Sequence, residues 1–291
     1  MTSAAIKIIE KIPRSIYINN YIMTRNLSKI NYFDVTLRDG LQSIKTCYSL
    51  SSKKEILDEI IKKRNPSFIE VGSIVSPKIL PQMNDSIELY KYAKYKYKNN
   101  HEFYMLVPNL KSLNIALKNK VENISLITSI SESFQKKNTS KTLPESKSEI
   151  KQMIEYDDIN KIKLYISCID TCPIEGKQSI GKIIDEVLYY NTLNNINELC
   201  LSDTCGELNY LNFVKIIDHL LFYIPSTKIS LHLHVSENNY ENVYNIIRYA
   251  FNKCIYKYDV SYYKNLGGCS VTIDSKLNGN LTYNMLESCL V

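Results

Sequence analysis

The sequence predicts an α/β protein of the (β/α)8 TIM-barrel class, with a shortened helical region at its C-terminus. Short runs of β-branched and aromatic residues alternate along the chain with longer stretches of helical periodicity. Eight strand candidates with seven helix candidates between them can be read from the chain. Eight parallel strands are the number that a closed barrel needs, while an open, doubly wound sheet is the alternative. A chain of 291 residues also fits a single barrel, which takes about 250 residues.

The predicted strands are short and rich in isoleucine, valine, leucine and aromatic residues. Most of the eight glycines of the chain follow one of these runs, where a turn needs a positive φ or a close backbone approach. The strands are expected at residues 31–37, 68–73, 102–107, 123–129, 162–168, 198–203, 229–235 and 254–261.

The predicted helices carry apolar residues on one face. The first opens with Ser52 and Glu55, the spacing of a capping box, and the sixth places Val214 and Ile217 on one side. After the fourth strand, the polar segment 131–147 is predicted to be a flexible linker or an active-site loop. The helices are expected near residues 52–64, 86–98, 110–119, 146–158, 179–193, 211–223 and 239–253.

The chain is predicted to hold one domain. Residues 1–30 form an N-terminal extension and residues 31–291 the barrel, since no shift in composition marks a second domain. Few residues follow Asn280, so the helix after the eighth strand is expected to be short. The extension has five basic residues and one acidic residue, a faint feature of mitochondrial presequences, but Pro13 would interrupt its helix. A cytoplasmic location is expected, with the mitochondrion as the alternative.

Composition excludes several classes of protein. With 36 basic and 30 acidic residues, the net charge of +6 is too small to indicate a nucleic-acid partner. No run approaches the roughly 18 uninterrupted apolar residues of a membrane span. The eight cysteines are scattered and lack paired C-x₂-C spacing, which argues against a disulfide scaffold or a structural zinc site. Reduced thiols are expected.

Two histidines are the sharpest local signal in the sequence. His232 and His234 lie in the seventh predicted strand, and side chains two residues apart on a strand point to the same side. The pair could therefore bind one cation, with Asp39 at the end of the first strand as the third ligand. Imidazole and carboxylate ligands suit Mg²⁺ or Mn²⁺ acting as a Lewis acid. The alternative is two histidines on a half-exposed edge strand.

Other polar residues follow the predicted strands at the same rim, where β/α barrels place their active sites. Arg38 precedes Asp39, so a permanent cation would lie beside the metal and could stabilise an enolate; a structural ion pair is the alternative. Glu70 and Asp203 also end strands and are either catalytic or structural acids. The segment Gly267-Gly268-Cys269 is predicted to be a mobile loop that carries a thiol over the site, unless the cysteine is buried filler.

Eight segments occur in the order found in one enzyme family. They are FDVTLRDGLQS (33–43), FIEVGSIVSPKILPQM (68–83), FQKKN (134–138), ISCIDTCPIEGK (166–177), LSDTCGELN (201–209), LHLHVSENN (231–239), NLGGC (265–269) and NGNL (278–281). In these segments the chain resembles the 3-hydroxy-3-methylglutaryl-CoA lyases, which are DRE-TIM metallolyases. The RDGLQ and H-x-H motifs are shared with the isopropylmalate and homocitrate synthases, whereas G-G-C and C-P-x-E-G-K are typical of the lyases.

The resemblance implies a role for each matched residue. Asp39, His232, His234 and Asn280 match the ligands of a divalent metal ion. Arg38 matches the arginine that stabilises the enolate, and Glu70, Asp203, His232 and Cys269 match further catalytic residues, with His232 and Asp203 taking part in proton transfer. The residues matched to substrate binding are Arg38, Gln42, Lys45, Ser73 and Asn138.

The implied reaction is retro-Claisen cleavage of 3-hydroxy-3-methylglutaryl-CoA to acetyl-CoA and acetoacetate. The implied partners are the acyl-CoA substrate and a second copy of the chain in a homodimer, with no nucleic acid and no membrane. A Claisen-type acyltransferase related to the isopropylmalate and homocitrate synthases is the first alternative. A catalytically weakened barrel that acts as a binding protein is the second.

Overall fold

Eight parallel strands close into a barrel, which confirms the predicted fold and excludes the open sheet. The computed structural model describes residues 26–264, 266–267 and 278–291. Around the barrel the strand order is β1-β8-β7-β6-β5-β4-β3-β2. The strands are β1 (Asn31–Asp34), β2 (Phe68–Ser73), β3 (Glu102–Leu106), β4 (Asn123–Ser129), β5 (Lys161–Ser167), β6 (Glu198–Ser202), β7 (Ile229–His232) and β8 (Lys257–Val260).

Helices connect successive strands and pack around the barrel. Within the described residues they are α1 (Leu50–Arg64), α2 (Ser86–Tyr97), α3 (Leu110–Lys118), α4 (Glu132–Thr139), α5 (Leu143–Met153), α6 (Ile180–Asn191), α7 (Tyr210–Leu220), α8 (Tyr240–Asn252) and α9 (Tyr283–Leu290). None of these helices is long and apolar enough to cross a bilayer.

Helix capping corrects two of the predicted boundaries. Helix α1 begins before Ser52, because the side chain of Ser49 accepts a hydrogen bond from the Ser52 N–H at 3.1 Å and so acts as the N-cap. The segment 131–147 is not a linker but contains α4 and the start of α5. A capping box between Thr142 and Glu145 begins α5.

The first strand is shorter than predicted, and a tight helical turn follows it. Strand β1 ends at Asp34, whose Oδ1 accepts the Thr36 N–H at 2.9 Å. A π-helical turn, Thr36–Gly40, then forms as the Gly40 N–H bonds to the Val35 carbonyl at 3.0 Å. This turn carries Arg38 and Asp39 at the carboxyl end of the barrel.

The seventh strand is also interrupted. Strand β7 ends at His232, and the segment His234–Val235 pairs antiparallel with Gly279–Asn280 instead of continuing in the barrel. Between the two, the Leu233 carbonyl accepts the Leu281 N–H at 3.0 Å. The break brings a segment from late in the chain against the seventh strand.

Successive side chains along a strand point alternately toward the helices and into the barrel, so the core has an outer part and an interior part. On β5, Ile162, Leu164 and Ile166 belong to the large apolar core that also includes the helices. The residues between them, Lys163 and Tyr165, bond across the barrel to β8 and β2 respectively. The interior of the barrel therefore holds ionised and polar groups as well as aromatic rings.

The carboxyl group of Asp34 ties α9 to the barrel and should make stability depend on pH. It is fully buried and accepts the Tyr283 hydroxyl at 2.7 Å, and burial raises its pKa from 3.8 to about 6. The folded state therefore binds the proton more tightly than the unfolded state does. As the pH rises from 3.8 to about 6, this advantage is lost and the free energy of unfolding falls. Asparagine does not ionise in this range, so the free energy of unfolding of Asp34→Asn, taken relative to wild type, should rise by up to about 3 kcal/mol between pH 4 and pH 7. Urea unfolding at each pH measures this difference. A difference that does not change with pH would contradict the assignment.

Candidate active site

A cavity of about 310 Å³ opens at the carboxyl end of the barrel, where enzymes of this architecture place their chemistry. Its wall combines apolar residues, such as Leu106 and Ile127, with polar side chains from several strands. Seven of the predicted site residues line it, namely Arg38, Asp39, Gln42, Ser73, Asn138, His232 and His234.

Three of these residues form a candidate metal centre. Asp39, His232 and His234 are buried and offer ligand atoms that all lie within 4.8 Å of one another. The Nε2 atom of His232 is 3.8 Å from Oδ2 of Asp39. The structure thus brings together the histidine pair and the carboxylate that were predicted to share one cation.

The hydrogen bonds of His234 leave one ring nitrogen for a ligand. Its Nδ1 lies 2.6 Å from the main-chain carbonyl of Asp203, so Nδ1 carries the proton and donates it. Its Nε2 is buried and has no hydrogen-bond partner among the described residues. Burial, together with the neighbouring His232, lowers the pKa of His234 to about 4. The ring is therefore neutral near pH 7, as a metal ligand must be.

Asn280 supplies the fourth predicted ligand atom. Its Nδ2 donates to Oδ2 of Asp39 at 2.9 Å, while its Oδ1 is buried with no partner among the described residues. An unpartnered amide oxygen and imidazole nitrogen near one ionised carboxylate fit a divalent cation. Burial opposes ionisation of Asp39, but Arg38 and the two histidines outweigh it and hold the pKa of Asp39 at about 2.

Gly267 permits a close approach between its own backbone and the side chain of Asn280. The φ of Gly267 is +97°, and a Cβ placed there would lie 2.3 Å from Cγ of Asn280. The Asn280 N–H in turn bonds to the Leu266 carbonyl at 2.8 Å. Any side chain at position 267 would therefore push on a candidate ligand. Gly268 and Cys269, the rest of the predicted mobile loop, lie outside the described residues.

Arg38 is fixed beside the candidate metal centre by two carboxylates. Its Nε is 2.5 Å from Oε2 of Glu70, and its Nη1 is 2.6 Å from Oδ1 of Asp39. The ring of Tyr165 lies 5.1 Å from the guanidinium carbon, and its hydroxyl donates to Glu70 at 3.1 Å. Gln42 completes the contacts by donating to Oδ1 of Asp39 at 2.6 Å. The cation is thus held in place before any ligand binds.

The remaining predicted residues differ in their positions. Glu70 lies behind Arg38 and does not itself line the cavity. Lys45 is exposed and also absent from the cavity wall. Asp203 is not among the residues that line the cavity, and its carboxyl group accepts the Glu207 N–H at 3.0 Å; burial raises its pKa to about 7. Its main-chain oxygen, rather than its side chain, contacts His234.

Sequence reasoning missed three interior residues that surround this site. Tyr165 contacts both Arg38 and Glu70, and Asp259 lies 3.1 Å from Nδ1 of His232. Lys163 forms an ion pair with Asp259. A usable signal was present, because Lys163 and Tyr165 alternate with isoleucine and leucine in a strand that was correctly predicted.

Known proteins resemble the chain over most of its length. Residues 29–238 match the HMGL-like family. A hydroxymethylglutaryl-CoA lyase of Bacillus subtilis is 30% identical over 212 residues, which cover 71% of this chain and 68% of the relative. The mitochondrial hydroxymethylglutaryl-CoA lyase of Macaca fascicularis is 28% identical over 71% of this chain and 63% of its own length. The matched region thus spans about two thirds of these relatives.

Solved structures resemble the whole barrel. The hydroxymethylglutaryl-CoA lyase of Pseudomonas aeruginosa superposes with a TM-score of 0.79 and 25% identity, covering 90% of this chain and 84% of that one. An HMG-CoA lyase of Acinetobacter baumannii in complex with coenzyme A and 3-methylmalate gives a TM-score of 0.77 and 25% identity, covering 87% and 80%. With a matching family over nearly three quarters of its residues and the same barrel, this chain belongs to the HMGL-like family.

Proposed function

We propose that this protein is a metal-dependent carbon–carbon lyase that cleaves 3-hydroxy-3-methylglutaryl-CoA into acetyl-CoA and acetoacetate. The observation that carries the proposal is the juxtaposition of Asp39, His232 and His234 with the guanidinium of Arg38 at one cavity. Relatives named hydroxymethylglutaryl-CoA lyase support the substrate. The structure of one such lyase with coenzyme A supports an acyl-CoA ligand.

Asp39, His232, His234 and Asn280 are the residues that would hold the metal ion. One carboxylate oxygen, one amide oxygen and two imidazole nitrogens favour Mg²⁺ or Mn²⁺ over a metal that prefers thiolates. When bound, the ion supplies a Lewis acid for the hydroxyl and carbonyl oxygens of the substrate.

Arg38 stabilises the charge that develops as the carbon–carbon bond breaks. The bond between C2 and C3 of the acyl group cleaves, and its electron pair becomes the enolate of acetyl-CoA. The Nε and Nη1 groups of Arg38 bond to Glu70 and Asp39, so the donors not used in these bonds are available for the enolate oxygen. Because both carboxylates are already in place, little reorganisation is needed during the reaction.

Proton transfer completes the cleavage. The tertiary hydroxyl loses its proton as the ketone of acetoacetate forms, and the enolate gains a proton to give acetyl-CoA. We assign this transfer to His232 and Asp203. Supporting evidence is that burial raises the pKa of Asp203 to about 7, where a carboxyl group exchanges protons readily near neutral pH.

Several finer assignments follow the family resemblance. Asn138 and Ser73 lie on the cavity wall and, together with Gln42 and the exposed Lys45, are proposed to bind the substrate. Cys269 is proposed to enter the site on its loop. We further propose a homodimer located in the cytoplasm, or in the mitochondrion as for the relatives named mitochondrial.

Product analysis tests this function directly. Purified protein with Mg²⁺ and 3-hydroxy-3-methylglutaryl-CoA should release acetyl-CoA and acetoacetate, identified by mass spectrometry. A parallel reaction with acetyl-CoA and a 2-oxo acid should release no free CoA. Release of CoA without cleavage of the first substrate would favour the condensing class, and metal binding without either reaction would favour a binding protein.

A further inference from the structure

A buried ion pair lies inside the barrel, directly next to the metal centre. Lys163 on β5 and Asp259 on β8 are both about 1% exposed and form a salt bridge across the barrel interior. The ammonium group of Lys163 also lies 3.1 Å from Oε1 of Glu198 and 3.6 Å from the centre of the Phe33 ring. Two buried charges are costly unless they are paired and well bonded, and here each charge has two polar partners.

Asp259 joins this pair to the metal centre. Its Oδ1 bonds to Lys163, while its Oδ2 lies 3.1 Å from Nδ1 of His232. An ionised carboxylate can only accept hydrogen bonds, so Nδ1 of His232 must carry the proton. The Nε2 atom is then the basic nitrogen of the ring, on the side that faces Asp39 at 3.8 Å.

The two histidines are oriented by different groups. His234 donates to the main-chain carbonyl of Asp203, a neutral acceptor, whereas His232 donates to a carboxylate. A carboxylate behind a metal-binding imidazole fixes its tautomer and makes it a stronger electron donor than a neutral acceptor does. Lys163 holds that carboxylate in place from the opposite side.

We propose that Asp259 and Lys163 are positioning residues, which fix the tautomer and ring orientation of His232 so that Nε2 faces the metal centre. This inference rests on the metal site of the proposed function and assigns a purpose to two residues that lie outside the cavity. The hydrogen bond from His232 to Asp259 connects the pair to the candidate metal centre. The pair makes no contact with His234 or Asn280 among the described hydrogen bonds.

Metal binding and histidine tautomers test the proposal without an activity assay. Mn²⁺ affinity is measured by titration calorimetry for wild type, Asp259→Asn, Lys163→Met and Glu198→Gln. Loss of a group that orients a metal-binding histidine typically lowers metal affinity 10- to 100-fold, and we expect that loss for the first two variants. Glu198→Gln is the matched control, because Glu198 also contacts Lys163 but does not contact His232. It should bind Mn²⁺ like wild type.

Proton-detected ¹H–¹⁵N correlation of the ring nitrogens gives a second measurement. The chain has four histidines, so the ring signals of His232 can be assigned with single variants. The metal-free wild type should show His232 protonated at Nδ1, and Asp259→Asn should show a mixture of tautomers. If Asp259→Asn fails to fold, the wild-type spectrum decides, since a proton on Nε2 would overturn the proposal.

The outcomes separate this inference from the proposed function. A wild-type protein that does not bind Mn²⁺ would contradict the metal site itself. A wild-type protein that binds Mn²⁺ together with an Asp259→Asn variant that binds equally well would leave the metal site intact and overturn the positioning role. Weakened binding in Glu198→Gln to the same extent would also overturn it, because the effect would then reflect the interior charge cluster in general.

Discussion

Replacing Arg38 by glutamine should lower kcat by roughly 10²- to 10³-fold, the usual cost of removing one preorganised donor to a developing oxyanion. The loss arises because the enolate charge exists in the transition state and not in the substrate. KM for the acyl-CoA should change far less than kcat. Steady-state kinetics with saturating Mg²⁺ measure both parameters.

A surface arginine provides the control for this experiment. Arg64 pairs with Glu287 at 3.3 Å outside the cavity, and Arg64→Gln should keep kcat near wild type. Circular dichroism and thermal unfolding check that both variants fold, since Arg38→Gln leaves the buried Glu70 without its ion pair. An Arg38→Gln enzyme that retains full turnover would exclude the guanidinium from stabilising the enolate.

His234→Ala should weaken Mn²⁺ binding by more than roughly 100-fold, because loss of a ligand should exceed the 10- to 100-fold cost of losing a group that merely orients one. EDTA should abolish lyase activity of the wild type, and Mg²⁺ or Mn²⁺ should restore it. Titration calorimetry gives the affinity and a coupled assay gives the activity.

The control for the histidine experiment is His219, which is exposed on α7. His219→Ala should bind Mn²⁺ with wild-type affinity. Unchanged affinity in His234→Ala would remove His234 from the ligand set and with it the explanation for the unpartnered Nε2.

The sequence was sufficient to predict the barrel because its strands are short, apolar and separated by regular helices. It was also sufficient to predict that Asp39, His232 and His234 meet, since the carboxyl ends of parallel strands gather at one rim. The reason given for the histidine pair was only partly right. His234 does not continue the barrel strand, but pairs with Asn280 after a break at Leu233.

What could not be predicted depends on contacts between distant residues. Lys163 and Asp259 lie 96 positions apart in sequence, so neither one reveals its partner by local spacing. The orientation of the Asp203 side chain could not be predicted either. The sequence places Asp203 at a strand end. Which of its oxygen atoms contacts the histidines depends on the turn that follows, where the Glu207 N–H donates a hydrogen bond to the carboxylate.

Asp39 and Asn280 form a hydrogen bond although they lie 241 positions apart in sequence. The proposed ligand set can therefore be completed only after Asn280 has been synthesised. During translation Asp39 emerges early, the two histidines much later, and Asn280 last. A nascent chain halted between His234 and Asn280 therefore carries three of the four proposed ligands and cannot complete the set. If these four residues bind the cation, binding would favour only chains in which Asn280 has reached Asp39 and the histidines, and it would stabilise them by about 2.7 kcal/mol when the free ion is at 100 times its dissociation constant. The proposed cation would thus stabilise the folded barrel at a late stage of synthesis, in addition to its proposed part in the reaction.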